Sequence, residues 1–526
     1  MSGCGPCRAE AFEAEARHQR KVALGVGPQR QWKKVSADMN VDVVIVGGGV
    51  AGLSVAYELS RRSVSFVVLE SAPRPGGVIL SEEIDGFVID GGPDSLLVQK
   101  PAGVALCEEI GLGPRLVVTK LPRIAYIQRN GQLHPLPAAS VLGVPTRVGP
   151  FLRTRLFTWA GKLRMGAELF VPPRRAEDDE SIGSFMTRRF GREAATYLAE
   201  PLLAGIHAGD VDRLSVRSLF PRFVEAERKH GSLLRAFRGV AAKPTNADNA
   251  GAFKSLPGGL SEMVIALVRS IGAAQVRTGT VAVRVTCDRP ALLDAGGRPA
   301  SSSSHRRLVS AGERFTVPTA RGEPFTARAV VLATPAYVTS ALLREHDQEL
   351  ARLCADVRYT STATVALAFR RDAVKHPLDG SGFVVPRVER SPILAASWLS
   401  SKWPHRAPDD RVLLRTFFGG ARDPQVLDHS DEELVSRSLD AIAPLLGITG
   451  SPLLTRVYRW ERASAQHEVG HLHRIAVIDR ALERHPGLFV TGSGFRGVGI
   501  PDCVADGRAT GAAVATFLQS LNPPIS

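Results

Sequence analysis

The chain has 526 residues, more than a single hydrophobic core accommodates, so two or three lobes are expected. Of these residues 44% are hydrophobic and 22% are charged, a composition that excludes a globally disordered chain. Lysine and arginine outnumber aspartate and glutamate by 66 to 52, and the net charge of +14 favours anionic partners, such as a carboxylate-bearing substrate or an acidic membrane surface. Six irregularly spaced cysteines exclude a disulfide framework and suit a reducing, cytoplasmic compartment.

Residues 1–40 form a charged leader without the apolar core of a secretion signal, and a disordered extension is predicted there. Cys4 and Cys7 form a CxxC pair, but the second pair that a zinc site needs is absent, so no metal is expected. No apolar run reaches the roughly 18 residues that span a bilayer, so any membrane attachment is expected to be peripheral or monotopic. No run matches a nucleic-acid-binding module, and no nucleic-acid partner is expected.

A strand, a glycine turn and an amphipathic helix follow in the order that dinucleotide binding requires. The buried strand is predicted over 41–46 and the helix runs to about residue 62. The glycines of the turn are Gly47, Gly48, Gly49 and Gly52. They permit a tight turn, close approach to a pyrophosphate and close helix packing. A second strand, 65–69, ends in Glu70, whose carboxylate is placed to accept hydrogen bonds from ribose hydroxyls.

The next segment, SAPRPGG, distinguishes FAD from NAD. Its Arg74, Gly76 and Gly77 resemble the RxGG element of amine-oxidase-type flavoproteins, whose glycines lie against the flavin diphosphate. The resemblance implies FAD as the cofactor. The competing hypothesis for these glycines is a doubly wound domain that binds no nucleotide.

A basic and apolar segment follows. Seven basic residues stand between 147 and 175, with Glu168 the only acid. The apolar residues among them are Leu152, Leu156, Phe157, Trp159 and Leu163. This mixture suits a helix in an anionic membrane interface, and equally a helix with a buried apolar face and solvated charges.

Two later segments bear on domain organisation. Residues 288–324, with four consecutive serines, are predicted to be a low-complexity loop. VVLATPA at 330–336 has the pattern of another buried strand of the first sheet, so the nucleotide domain is predicted to be discontinuous.

From residue 41 to 518 the order of landmarks resembles the protoporphyrinogen oxidases. The motifs are EPLLAGIHAGDVDRLSV at 200–216, LPGGLSEMV at 256–264, FGGARDP at 418–424, GHLHRI at 470–475 and GSGFRGVGIPDCVADGRATG at 492–511. The resemblance implies a multidomain α/β (α+β) fold like those of p-hydroxybenzoate hydroxylase and monoamine oxidase, with three parts. These are a Rossmann-type FAD domain (41–93, 258–338 and 485–526, with 288–324 a flexible insertion), a helical membrane-binding lobe (94–213) and a substrate-binding domain with an antiparallel sheet (214–257 and 339–484).

The family implies oxidation of protoporphyrinogen IX to protoporphyrin IX in haem synthesis, with oxygen as acceptor and no side chain required as acid or base. The expected partners are the tetrapyrrole, oxygen and the inner face of the cell membrane, and a homodimer stays open. Coproporphyrinogen III is the second candidate substrate, because GVGIPDCV resembles the coproporphyrin branch. Two hypotheses compete with this assignment: another flavoenzyme of the amine oxidase superfamily, and a noncatalytic protein resembling the GDP-dissociation inhibitors.

The resemblance also assigns site residues. The substrate set is Gly205, Gly209, Val338 and Phe383, together with Lys100. The cofactor set, beyond the N-terminal motif, is Val281, Gly492, Val498, Gly499, Ile500 and Asp502. At the position of a propionate-binding arginine the chain has Gln99, with Lys100 adjacent, and Lys100→Ala is expected to raise KM more than it lowers turnover. Ala465-Gln466-His467 also departs from the family's Pro-Gln-Tyr, and His207 is expected to be a packing or surface residue.

Overall fold

The structure is a computed structural model, and it describes residues 40–137, 140–141, 144–145, 148–238, 251–288, 314–322 and 324–521. The leader with its CxxC pair and most of the 288–324 insertion lie outside the described residues. Within the described ranges, no helix combines the length and apolar composition that crossing a bilayer requires.

A seven-stranded sheet carries the N-terminal glycine turn. Its strand order is Val276–Arg277, Phe66–Leu69, Asn40–Val46, Phe325–Leu332, Arg314–Val317 and Thr286–Asp288, with Leu488–Val490 also paired to Phe325–Leu332. Asn40–Val46 runs parallel to both neighbours, with Val43 opposite Phe66 and Ala329. Helices pack against this sheet and against one another, and its central strands are apolar and buried over Val43–Val46, Phe66–Leu69 and Ala329–Leu332. The helices are Val50–Ser60, Ala102–Glu109, Ser261–Ile271 and Ile500–Leu521.

A second seven-stranded sheet is mainly antiparallel. Its order is Leu454–Gln466, Arg358–Arg370, Arg411–Gly419, Ala395–Trp398, Gly382–Val384, Ala125–Arg129 and Gln132–Pro135, with only Gly382–Val384 and Ala125–Arg129 parallel among these pairs. The helix Asp431–Leu446 covers one face, and it starts with a capping box between Ser430 and Glu433. The small sheets are Ser81–Ile84 with Phe87–Asp90, Leu96–Leu97 with Phe253–Ser255 and Val117–Val118, and Ser140–Val141 with Val144–Pro145.

Short helices between residues 148 and 238 pack around a core of their own. Their bounds are Val148–Arg153, Trp159–Gly166, Ile182–Phe190, Arg192–Ala194, the π-helical Ala195–Ala204, Val216–Leu219, Pro221–His230 and Leu233–Arg238. Phe185, Phe190 and Phe223 are fully buried in this core. Glu168 is also fully buried, where it pairs with Arg189 and accepts from the Ser232 hydroxyl at 2.5 Å. It therefore does not counter the basic surface around it.

The remaining helices connect the sheets. They are Ala336–Leu343, Gln348–Ala355, Leu399–Lys402 and His471–Leu482. Short 3-10 turns lie at Gly113–Arg115, Ala167–Phe170, Gly205–His207, Ala273–Gln275, Arg371–Ala373, Arg387–Glu389, Gly420–Arg422 and Val426–Asp428.

Candidate active site

The glycine turn at the end of Asn40–Val46 requires glycine for two different reasons. At Gly47, φ is +109° and a Cβ would lie 2.6 Å from the Ala333 carbonyl oxygen. At Gly52 a Cβ would overlap the Gly47 carbonyl oxygen. These two glycines are explained by packing within the protein. Gly49 is not, because a Cβ there would meet nothing within 4 Å. Its bare backbone borders open space, as a cradle for a diphosphate would.

Two further features suit this cradle to an anion. The helix Val50–Ser60 begins after Gly49 without a side-chain cap, so its first N–H groups are left for a ligand. The RxGG element lies against the turn, because the Gly76 N–H donates to the Gly48 carbonyl at 2.8 Å. Arg74 holds this loop by donating to the carbonyls of Gly77 at 2.7 Å and Ile79 at 2.9 Å. Arg74 therefore shapes the loop, and its contact with the cofactor stays a prediction.

Glu70 lies at the edge of the same turn. Its carboxylate accepts from the N–H groups of Gly48 and Ala72, each at 2.7 Å. Oε1 also accepts from the Ser71 hydroxyl at 3.3 Å, and Oε2 keeps acceptor capacity for a ribose hydroxyl. The Thr280 N–H donates to the Glu70 carbonyl at 2.8 Å, which brings Val281 beside it, and the Val281 side chain is 46% exposed. The predicted ribose and adenine contacts are therefore neighbours.

The second predicted cofactor loop joins Leu488–Val490 to Ile500–Leu521 and includes Gly492, Val498 and Gly499. Asp506 fixes its start by accepting from the Thr491 hydroxyl at 2.6 Å and the Gly492 N–H at 3.2 Å. At Gly507 a Cβ would overlap the Ala51 carbonyl oxygen, so Ile500–Leu521 packs closely on Val50–Ser60. This helix packing brings the two glycine loops together.

The Lys100 ammonium, predicted to bind a substrate carboxylate, is paired with an acid of the protein. It donates to the Asp502 carboxylate at 2.7 Å, and Asp502 also accepts from the Gly499 N–H at 3.3 Å. Gln99 is exposed. Lys100 thus neutralises an acid in the first turn of the C-terminal helix, where the family resemblance places the flavin pyrimidine ring.

Lys100→Ala is expected to weaken FAD retention more than substrate binding, because Asp502 would then present an unpaired negative charge to the cofactor. Asp502→Asn should restore retention in the Lys100→Ala background. A double-mutant cycle on the FAD dissociation constant measures this, and a coupling energy on the order of 1 kcal/mol is expected for a partly exposed pair. Strictly additive effects would contradict the assignment.

The loop that includes Gly205 and Gly209 is fixed on the ends of the long antiparallel strands. The His207 carbonyl accepts from the Ser464 hydroxyl and the Gln466 amide, each at 3.0 Å. A Cβ at Gly209 would overlap the Leu214 side chain, so this glycine is required by packing. Ile206 is 70% exposed at the tip. The loop therefore offers a fixed backbone and one exposed apolar side chain.

Stacked imidazoles support the second glycine loop, which sequence reasoning did not foresee. His467 and His471 stack with ring centroids 3.7 Å apart. Each donates from Nε2, at 2.9 Å, to a carbonyl of the loop: His467 to Ser493 and His471 to Phe495. The Ser218 hydroxyl lies 3.0 Å from His467 Nδ1, which as the unprotonated nitrogen accepts from it.

These histidines are held in the neutral form. Burial lowers the pKa of His471 to about 3, with a further contribution from His467. Burial also lowers the pKa of His467. The pKa of His207 falls to about 4 through burial and the charges of His467 and Lys100. The GHLHRI motif included His471, but only the fold reveals its contact with the loop.

Val338 and Phe383, the two apolar side chains of the predicted substrate set, lie in different surroundings. Val338 is half-buried in the helix Ala336–Leu343. The first residue of this helix, Ala336, donates from its N–H to the Tyr359 hydroxyl at 2.9 Å, and that hydroxyl lies against Gly494. Phe383 is 2% exposed and packs in the cluster with Trp398 beneath Asp431–Leu446. Val384, its neighbour on the strand, packs against the helical core instead. The structure therefore does not bring Phe383 to the site, because successive strand residues face opposite sides.

The described residues fit FAD and hold no candidate metal centre. Gly49, the uncapped helix and Glu70 form a cradle with open space, and the second loop lies beside it. No group of three or more His, Cys, Asp or Glu in the described part of the chain could hold a metal ion.

Comparison with known proteins gives consistent matches. The model of the family "Flavin containing amine oxidoreductase" matches residues 50–515. The Bacillus subtilis protein named coproporphyrinogen III oxidase is 33% identical over 92% of this chain and 100% of its own length. The chloroplastic protoporphyrinogen oxidase 1 of Spinacia oleracea is 28% identical over 91% of this chain and 85% of its own. The crystal structure of a protein from Exiguobacterium sp. 255-15 superposes with a TM-score of 0.77 at 31% identity, covering 91% of this chain and 99% of that one.

Proposed function

Because this chain belongs to the protoporphyrinogen/coproporphyrinogen oxidase family of flavin-containing amine oxidoreductases, we propose that it oxidises coproporphyrinogen III to coproporphyrin III in haem synthesis. The predicted α/β flavin-binding fold and FAD as cofactor are confirmed. The sequence favoured protoporphyrinogen IX, with coproporphyrinogen III as the second candidate. The higher identity to the Bacillus subtilis protein than to the Spinacia oleracea protein supports coproporphyrinogen III.

One observation carries the proposal: the Gly205–Gly209 loop and the second glycine loop are joined through adjacent contacts. Gln466 donates to the carbonyl of His207, and the next residue, His467, donates to the carbonyl of Ser493. This connection between the two loops supports a substrate site next to the flavin. A bound FAD would accept a hydride from a saturated bridging carbon of the porphyrinogen.

The protein's own contribution is to bind, orient and exclude water. The buried imidazoles next to the loops are neutral, and their Nε2 protons are engaged with carbonyls, so they act as supports. The proposal therefore requires no side-chain acid or base. The glycine loops allow a flat macrocycle to approach the backbone closely.

The test is to add reduced coproporphyrinogen III and, separately, protoporphyrinogen IX to the purified holoprotein without air. Flavin absorbance near its visible maximum should bleach fastest with coproporphyrinogen III, and porphyrin fluorescence should appear in step. Admission of oxygen should restore the flavin colour. Faster bleaching by protoporphyrinogen IX would favour the other substrate, and no bleaching with either would sink the proposal.

We further propose that helices of the predicted membrane-binding lobe, 94–213, rest on an anionic membrane surface. Leu156 and Phe157 are buried, but Trp159 is 67% exposed, Leu163 74% and Phe170 84%. Exposed apolar groups beside basic residues favour interfacial binding. This supports a peripheral location at the inner face of the cell membrane.

The double variant Trp159→Ser with Leu163→Ser is expected to bind vesicles of anionic phospholipid at least tenfold more weakly, because two exposed apolar side chains are lost. Vesicle co-sedimentation measures the effect. Ile265→Ser is the control, since Ile265 is 57% exposed on the helix Ser261–Ile271. Equal loss in the control, or none in the double variant, would contradict the proposal.

A further inference from the structure

We propose that Arg462 binds a carboxylate of the substrate. The inference rests on the proposed function, because porphyrinogens carry propionate side chains at the edge of the ring. Lys100, the residue that the sequence offered for this role, is engaged with Asp502. Because the Asp502 carboxylate lies 2.7 Å from the Lys100 ammonium, it neutralises that charge and weakens its attraction for a substrate carboxylate.

Several other arginines around the candidate loops are also paired with acids. Among the described residues, their acidic partners are Glu468 for Arg213 and Arg358, Asp210 for Arg387, Glu200 for Arg422, and Asp479 and Asp506 for Arg496. Arg462 has no acidic partner within the described part of the chain, although Glu461 is next to it in sequence. Its charge therefore remains available to a ligand.

The backbone at Arg462 is strained so that the side chain takes a specific direction. The strand Leu454–Gln466 loses register with Arg358–Arg370 between Thr360 and Thr362. Arg462 lies in this irregularity with φ at +43°, and its N–H donates to the Ser361 hydroxyl at 3.0 Å. A positive φ is rare for residues other than glycine, and β-bulges near active sites commonly redirect a side chain.

The guanidinium is oriented by an aromatic ring. Its central carbon lies 3.7 Å from the centroid of the Tyr337 ring. Stacking leaves the N–H groups around the edge of the guanidinium plane, where two of them can donate to one carboxylate. Arg462 is exposed, so a ligand from solvent can reach these groups.

Arg462 lies between the two candidate loops. On one side, Tyr337 contacts Tyr359 edge to face at 5.2 Å, and the Tyr359 hydroxyl lies against Gly494 of the second glycine loop. On the other side, Ser464 is two residues away and donates to the His207 carbonyl. A ring held between these loops would direct an edge substituent towards Arg462.

The test compares Arg462→Gln with Arg456→Gln under steady-state conditions. Arg456 is exposed on the same strand at its far end, so it matches the charge loss but not the position. Arg462→Gln is expected to raise the apparent KM for coproporphyrinogen III roughly tenfold or more, as for loss of a charge-assisted hydrogen bond. The kcat should stay within about twofold, because the lost interaction binds the substrate and the transition state equally. The flavin spectrum should not change.

Two more variants separate charge from backbone strain. Arg462→Asn also removes the charge but tolerates a positive φ, so it should raise KM as much as Arg462→Gln. Arg462→Lys keeps the positive charge but cannot make the bidentate contact of a guanidinium, so its KM should lie between those of the wild type and the neutral variants. An unchanged KM in both neutral variants, or the same rise in Arg456→Gln, overturns the assignment. A wild-type protein whose flavin no porphyrinogen reduces would instead overturn the proposed function itself.

Discussion

Alanine at position 49 is expected to leave the protein folded but unable to retain FAD. A Cβ on Gly49 would meet no protein atom within 4 Å, and the backbone has φ −69° and ψ 175°, which alanine adopts without strain. The added methyl group would instead occupy the space where a diphosphate approaches the helix N-terminus. The purified variant should be colourless, with an FAD dissociation constant raised by about 100-fold or more, an effect of roughly 3 kcal/mol.

Two other glycines make the result specific. Gly166→Ala is the matched control, because its Cβ would also meet nothing within 4 Å, and this variant should remain yellow. Gly52→Ala should behave differently from both, since its Cβ would overlap the Gly47 carbonyl oxygen, and we expect a lower melting temperature with or without FAD. Equilibrium dialysis and thermal unfolding of the apoproteins distinguish the cases. A yellow Gly49→Ala protein would place the diphosphate elsewhere.

Local sequence order predicted the part of the site that depends on short spacing. The glycine turn and Glu70 follow one strand-turn-helix-strand unit, so their relative positions hardly depend on the rest of the chain. The Lys100–Asp502 pair is different, because the two residues are 402 positions apart and meet only after the C-terminal helix packs on Val50–Ser60. A sequence motif at either residue alone gives no sign of this pairing.

Two other results show why side-chain direction was harder to predict. Phe383 lies in a strand of three residues, too short for an alternating pattern to reveal which face is buried, and a shift of one position exchanges the faces. In the basic segment, Leu156 and Phe157 enter the core whereas Trp159 and Leu163 face outward. Both interpretations of that segment were partly right, since composition does not assign individual side chains to a face.

Acid is expected to destabilise the flavin site in part through His471, and the variant His471→Gln should remove the share of this sensitivity that His471 contributes. The pKa of His471 is about 3 in the folded protein, because burial disfavours the cation, against 6.5 for an unperturbed histidine. As the pH falls below 6.5, His471 therefore takes up a proton in the unfolded chain but not in the folded protein. The contribution of neutral His471 to the free energy of unfolding is complete above pH 6.5 and is lost progressively between pH 6.5 and 3. At pH 4 the loss from this residue alone is roughly 3 kcal/mol.

Glutamine at 471 has an amide that can donate to the Phe495 carbonyl but binds no proton, which separates the hydrogen bond from the titration. The variant should be less stable than the wild type near pH 7.5, because the stacked ring contact with His467 is lost, and the difference should shrink or reverse near pH 4.5. Flavin fluorescence, which rises when FAD leaves the protein, and melting temperature are measured across this range. His473→Gln is the control, being an exposed histidine two positions along the same helix. Parallel pH curves for the wild type and His471→Gln would mean that proton uptake at this imidazole does not control how the loop holds the cofactor.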